Sequence, residues 1–155
     1  MTHHRRRNNG IDPSKINETV ELSPAQRYAA FKQTQAKQRT VAAEFARSMP
    51  FELDEFQMQA NDALEAGDNV LVAAPTGAGK TVAADFAIYL AQTRNVKAFY
   101  TTPIKALSNQ KYHDLVDVYG PDKVGLLTGD TSINSEADIV VMTTEVLRNM
   151  LYERS

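Results

Sequence analysis

The sequence predicts an α/β domain built on a mainly parallel sheet. Three observations carry that expectation. Short β-rich or apolar runs at residues 69–73, 96–102, 123–127 and 138–142 are interleaved with stretches of helical periodicity. Each run stops at a glycine-containing or hydroxyl-rich loop, the punctuation of a strand that gives way to a turn or a helix. The 155 residues, 43% hydrophobic and 23% charged, are enough for one packed core and not for two. Strands alternating with helices imply parallel pairing with right-handed crossovers. In such sheets the loops beyond the carboxyl ends of the strands share one rim, where ligands bind.

Along the chain, residues 1–22 are short of apolar side chains and rich in Asn, Arg and Ser/Thr, which predicts a basic, polar tail without fixed structure. Its start, Arg5-Arg6-Arg7, is followed by no apolar core of a secretory signal. Ser23-Pro24 then predicts an N-cap and a first helical residue, opening an N-terminal helix over residues 23–49 that Pro50 ends. Its stripe, with Tyr28 and Phe31 at one end and Ala42, Phe45 and Met49 at the other, is expected to bury both ends better than the middle, where Gln35 and Gln38 sit. Nine Lys/Arg stand against four Asp/Glu through Arg47, whereas the rest of the chain is acidic. That basic third is either a solvated face or a contact with nucleic acid. No Cys is present, which fits a reducing compartment such as the cytoplasm, and no apolar stretch reaches membrane-spanning length.

Residues 50–155 form the domain proper. Asp54 and Gln57 have the spacing of a capping box for a helix whose apolar face is Phe56, Ala60, Ala63 and Leu64 and which Gly67 closes. Gln57 has two readings. Its carboxamide matches the donor and acceptor of an adenine edge, on which Phe51 would stack, or it caps its own helix while Phe51 lies in the core.

After the run at 69–73 comes Ala74-Pro75-Thr76-Gly77-Ala78-Gly79-Lys80-Thr81, and then a helical pattern over residues 82–92. This is a phosphate-binding loop. Inward-pointing amides and the positive end of the following helix hold a polyphosphate, and Gly77 and Gly79 permit that turn. Lys80 reaches the β- and γ-phosphates, and the Thr81 hydroxyl ligates Mg²⁺. The template GxxxxGK, followed by Ser or Thr, is met except at its first position, Ala74.

The run at 96–102 leads into a helix from Pro103 towards Val118. The strand at 123–127 ends in Thr128-Gly129-Asp130, and the strand at 138–142 in Thr143-Thr144-Glu145, side chains suited to capping a helix over 146–152. The polar clusters at 102–103, 128–130 and 143–144 therefore fall on the ligand rim. Short hydroxyl and amide donors there suit a sugar–phosphate backbone held without base reading.

PTGAGKT, TTPIKALSNQKY, GLLTGD and MTTEVLRNMLY together resemble successive motifs of the first RecA-like domain of superfamily 2 DExH-box RNA helicases, in the superkiller branch, actinobacterial large-helicase type. The resemblance covers residues 50–152. It implies a P-loop NTPase fold with ATP and Mg²⁺ as cofactors and RNA as partner. Gln57 would contact adenine, and Gly77, Gly79, Lys80 and Thr81 would hold phosphates and metal. Pro103, Lys105, Thr128, Gly129, Thr143 and Thr144 would border the RNA track. Departures are equally specific: the family's Asp-Glu-x-His, whose glutamate activates water, has no counterpart, and neither does the second RecA-like domain with its arginines. The expectation is thus the N-terminal portion of an ATP-dependent RNA helicase, incomplete at its C-terminal end. The alternative is a truncated nucleotide- or RNA-binding module without turnover. A small P-loop kinase is a third reading, but it leaves residues 103–110 and 143–151 without a role.

Overall fold

The computed structural model describes residues 22–75, 77 and 79–154, in two compact units divided after Gln38. The tail expected over residues 1–22 lies outside the described residues, apart from Leu22.

The first unit contributes one described helix, α1 (Pro24–Gln38). Ser23 and Gln26 cap it reciprocally: the Ser23 amide donates to Gln26 Oε1 at 2.8 Å, and the Gln26 amide to Ser23 Oγ at 3.2 Å. None of its residues is buried. The stripe end at Tyr28 and Phe31, expected to be covered, is instead exposed at 61% and 58%. An apolar stripe is buried only against another element, and within its unit the described residues supply none.

The second unit opens with α2 (Val41–Ser48), so the single helix expected over residues 23–49 is in fact two. Thr40 causes the break. Its backbone is extended, and its Oγ1 accepts from the Ala43 amide at 3.1 Å, an N-cap that ends one helix and starts another. Glu65 completes the cap from α3 (Glu55–Glu65), its two carboxylate oxygens each accepting at 2.9 Å from the Val41 and Ala42 amides. Ala42 and Phe45 then pack with Leu53, Val82, Phe86 and Leu90, the Phe45 and Phe86 rings meeting edge-on at 5.3 Å.

The remaining elements are α4 (Thr81–Thr93), β1 (Ala98–Thr102), α5 (Lys105–Tyr119), β2 (Val124–Leu127), β3 (Ser132–Ile133), β4 (Ile139–Thr143) and α6 (Thr144–Glu153). The sheet order is β1-β4-β2-β3, with β4 parallel to both β1 and β2. Every residue of the central strand β4 is buried, as a parallel strand covered on both faces requires. Its side chains alternate: Ile139 and Val141 pack with Ile88, Leu115, Val124 and Leu126, while Val140 and Met142 pack against Val146, Leu147 and Met150 of α6.

Two further features differ from the sequence expectation. The short strand β3 pairs antiparallel with β2, and it comes so close that a Cβ on Gly125 would collide with the Ile133 and Asn134 carbonyls. The apolar run at residues 69–73 is not a strand. Among the described residues β1 has one ladder neighbour, β4, and the 69–73 run has none. Without a hydrogen-bonded partner a β-rich sequence does not become a strand, and Leu71 stands 94% exposed.

Candidate functional site

The phosphate loop bridges α3 and α4. Gly77 and Gly79 both take left-handed backbone, with φ of +84° and +80°. Space above Gly77 is open, whereas a Cβ on Gly79 would run into the Gln57 side chain. Lys80 and Thr81, at the start of α4, are exposed, as is Pro75; Ala74 is half-buried. Thr76 and Ala78 lie outside the described residues.

Gln57 is 4% exposed and has two partners. Its Oε1 accepts from the Asp54 amide at 2.8 Å, the capping box, and its Nε2 donates to the Gly79 carbonyl at 3.0 Å. Helix capping and loop anchoring therefore fall on one carboxamide. The bond spans 22 positions, for which the sequence carries no signal. Phe51 is half-exposed, a free aromatic face near the start of the same segment rather than a core side chain.

Parallel register builds the second part of the site. Thr102 at the end of β1 lies opposite Thr143 at the end of β4, and Leu127 opposite Met142, so Thr128 continues the same line. Thr102, Thr128 and Thr143 are buried. The Thr102 hydroxyl lies 2.5 Å from that of buried Ser108, and Thr144 Oγ1 donates to the Thr102 carbonyl at 3.1 Å. Thr143 occupies the N-cap position of α6 without a side-chain cap bond, and α6 starts at Thr144, two residues earlier than its periodicity indicates. The Thr128 hydroxyl donates to Asp130 Oδ1 at 3.0 Å, and Lys105 forms an ion pair with Asp130 Oδ2. That lysine hydrogen bond, followed by the one from Thr128, holds the Asp130 carboxyl below its ordinary range. Of the six rim residues expected from sequence, Pro103, Lys105, Gly129 and Thr144 are exposed, while Thr128 and Thr143 are tucked beneath them.

The site fits a nucleoside triphosphate with its metal. Two left-handed glycines, open space over the first, and an exposed Lys-Thr pair at a helix N-terminus form a cradle of donors for phosphate oxygens. Mg²⁺ keeps most of its shell as water and phosphate oxygen, so the single Thr81 hydroxyl is an adequate protein ligand.

The DEAD/DEAH box helicase family profile matches residues 54–155, the span that contains this loop and rim. The chain belongs to that family. Within it, the probable helicase HelY of Mycobacterium tuberculosis H37Rv is 62% identical over 111 residues, and the antiviral helicase SKI2 of Saccharomyces cerevisiae is 55% identical over 107. These alignments cover 72% and 69% of this chain but 12% and 8% of the relatives, so the chain spans a small part of the length of either. A crystal structure of a hypothetical ATP-dependent RNA helicase from Sulfolobus tokodaii is similar over 73% of this chain and 36% of that one, with a TM-score of 0.53 and 29% identity. The helicase domain here is accordingly an α/β, mostly parallel RecA-like domain. Among its described residues no helix is long and apolar enough to cross a membrane.

Proposed function

We propose that this chain is the nucleotide-binding N-terminal portion of an ATP-dependent RNA helicase that acts in the cytoplasm. The observation that carries the reading is the pair of left-handed glycines, Gly77 and Gly79, in front of an exposed Lys80-Thr81 at the start of α4. In this reading the loop amides and Lys80 bind and neutralise the phosphates, and the Thr81 hydroxyl holds Mg²⁺. Gln57 retains one N–H and one lone pair beyond its bonds to Gly79 and Asp54, and these meet the adenine edge while Phe51 stacks on the base. The bound ATP supplies the phosphoanhydride whose hydrolysis drives RNA displacement.

Along the rim, Lys105 and the exposed atoms of Pro103, Gly129 and Thr144 carry the RNA backbone, with Thr128 and Thr143 fixing the loops beneath. Such contacts position a strand without reading its bases. The chain contains no Asp-Glu-x-His, so for residues 1–155 alone the proposal is binding without turnover.

The test is RNA-stimulated phosphate release by a protein that contains this chain together with the remainder of a full-length helicase. Lys80→Ala is expected to lower the rate by two or more orders of magnitude, as loss of preorganised charge at a phosphoryl group does. A rate within about threefold of the parent would remove Lys80 from the mechanism.

A further inference from the structure

Helix α1 lies outside the span of the family match, and none of the site residues named above belongs to it. It carries Arg27, Lys32 and Lys37 and no Asp or Glu in fifteen residues. At about 100° per residue, Arg27, Gln38, Phe31, Pro24, Gln35, Tyr28 and Lys32 fall within an arc of about 140°, with Ala25, Ala36 and Ala29 flanking it beyond Lys32 and with Gln26, Gln33 and Lys37 on the opposite side. One face therefore interleaves two cations, two aromatic rings and amides. Tyr28 and Phe31 are both more than half exposed. Lys32 Nζ sits over the Tyr28 ring, 5.1 Å from its centroid.

We propose that this face of α1 binds single-stranded RNA, as a second contact beyond the helicase domain. The charge of the helix is wholly complementary to phosphate. Its two rings offer the stacking platforms on which unpaired bases sit, and Gln35 adds a donor and an acceptor for base or ribose. A membrane or an apolar partner surface is a poorer occupant, because the arc holds two apolar side chains bracketed by Arg27 and Lys32. The choice of RNA rests on the function proposed above, but the residues that bind it are separate from the rim.

The experiment is fluorescence anisotropy of the 155-residue chain with a labelled oligouridylate at several salt concentrations, joined to ultraviolet crosslinking with residue mapping. Tyr28→Ala with Phe31→Ala is expected to weaken binding at least fivefold with little change in salt slope. Arg27→Gln with Lys32→Gln is expected to reduce the slope of log K against log salt by about 1.4, at roughly 0.7 per phosphate contact on a single strand. Crosslinks should map to Tyr28 or Phe31. Because these side chains are exposed, an unchanged melting temperature is expected and separates a binding defect from misfolding. Crosslinks confined to residues 103–105, 128–129 and 143–144, with both double variants binding as the parent does, would overturn the α1 site and leave the proposed function standing. Crosslinks on α1 alone would support the site and count against the rim. No RNA binding at all, or equal capture of polyglutamate without crosslinks, would overturn it.

Discussion

The Gln57 side-chain nitrogen donates to the carbonyl of Gly79 at 3.0 Å, and this bond joins the helix before the phosphate loop to the loop itself. The same carboxamide caps α3 through the Asp54 amide, so the loop is referenced to the start of a rigid helix. Replacing Gln57 by Ala leaves a half-buried carbonyl and a partly exposed amide without their protein partners, and the expected cost is about 1–2 kcal/mol for the two lost hydrogen bonds. The prediction is a lowered melting temperature for Gln57→Ala together with weaker ATP binding. Loss of nucleotide affinity at unchanged stability would mean that Gln57 touches the base without anchoring the loop.

Gly79→Ala attacks the same contact from the other side. The new methyl meets Gln57 while the backbone is held at φ +80°, which an L side chain rarely adopts. We expect it to be more damaging than Gly77→Ala, whose surroundings are open. Thermal melts of the two variants check the order, and equal losses would contradict the crowding argument.

Glu65 caps α2 across 24 positions of sequence, its carboxylate taking two consecutive amides. Hydrogen bonds to a charged acceptor are the stronger kind, so Glu65→Ala should destabilise the domain by about 1–3 kcal/mol. Urea denaturation measures this; a loss below about 0.5 kcal/mol would show the cap to be replaced by water.

How much of this was legible in the sequence follows the range of each interaction. The Asp54–Gln57 box, the strands β1, β2 and β4 and the polar loops after them are local patterns, and the structure places them within a residue or two of expectation. Misreadings occurred where distant residues decide. The break at Thr40 is reinforced by Glu65, the hairpin strand β3 depends on the absence of a side chain at Gly125, and the run at 69–73 has strand composition but no ladder partner among the described residues. In the site, residue types were readable but exposure was not. Thr128 and Thr143 share the rim motif with Gly129 and Thr144, yet the first two are buried and the second two exposed, a difference that packing in the fold decides.

Asp130 offers a pH test of the rim. Its folded pKa lies below the ordinary carboxylate value, chiefly through Lys105 and then Thr128, so the pair stabilises the folded state above the ordinary carboxylate range. That contribution is lost as pH falls through the depressed value. Titration of the Asp130 carboxyl carbon by NMR should give a low midpoint that rises towards the ordinary value in Lys105→Met. A midpoint indifferent to that substitution would show that Lys105 does not hold Asp130 in solution.

The central claim is that residues 74–81 of this chain hold the phosphates of Mg-ATP. Backbone amide shifts recorded during titration of the 155-residue chain with Mg²⁺ and ATP test it most directly. The largest changes are expected at Gly77, Gly79, Lys80 and Thr81, with a response of the Gln57 side-chain amide and loss of the whole pattern in Lys80→Ala without a change in melting temperature. Saturable binding with its largest shifts elsewhere, or an unaltered pattern in Lys80→Ala, would contradict it.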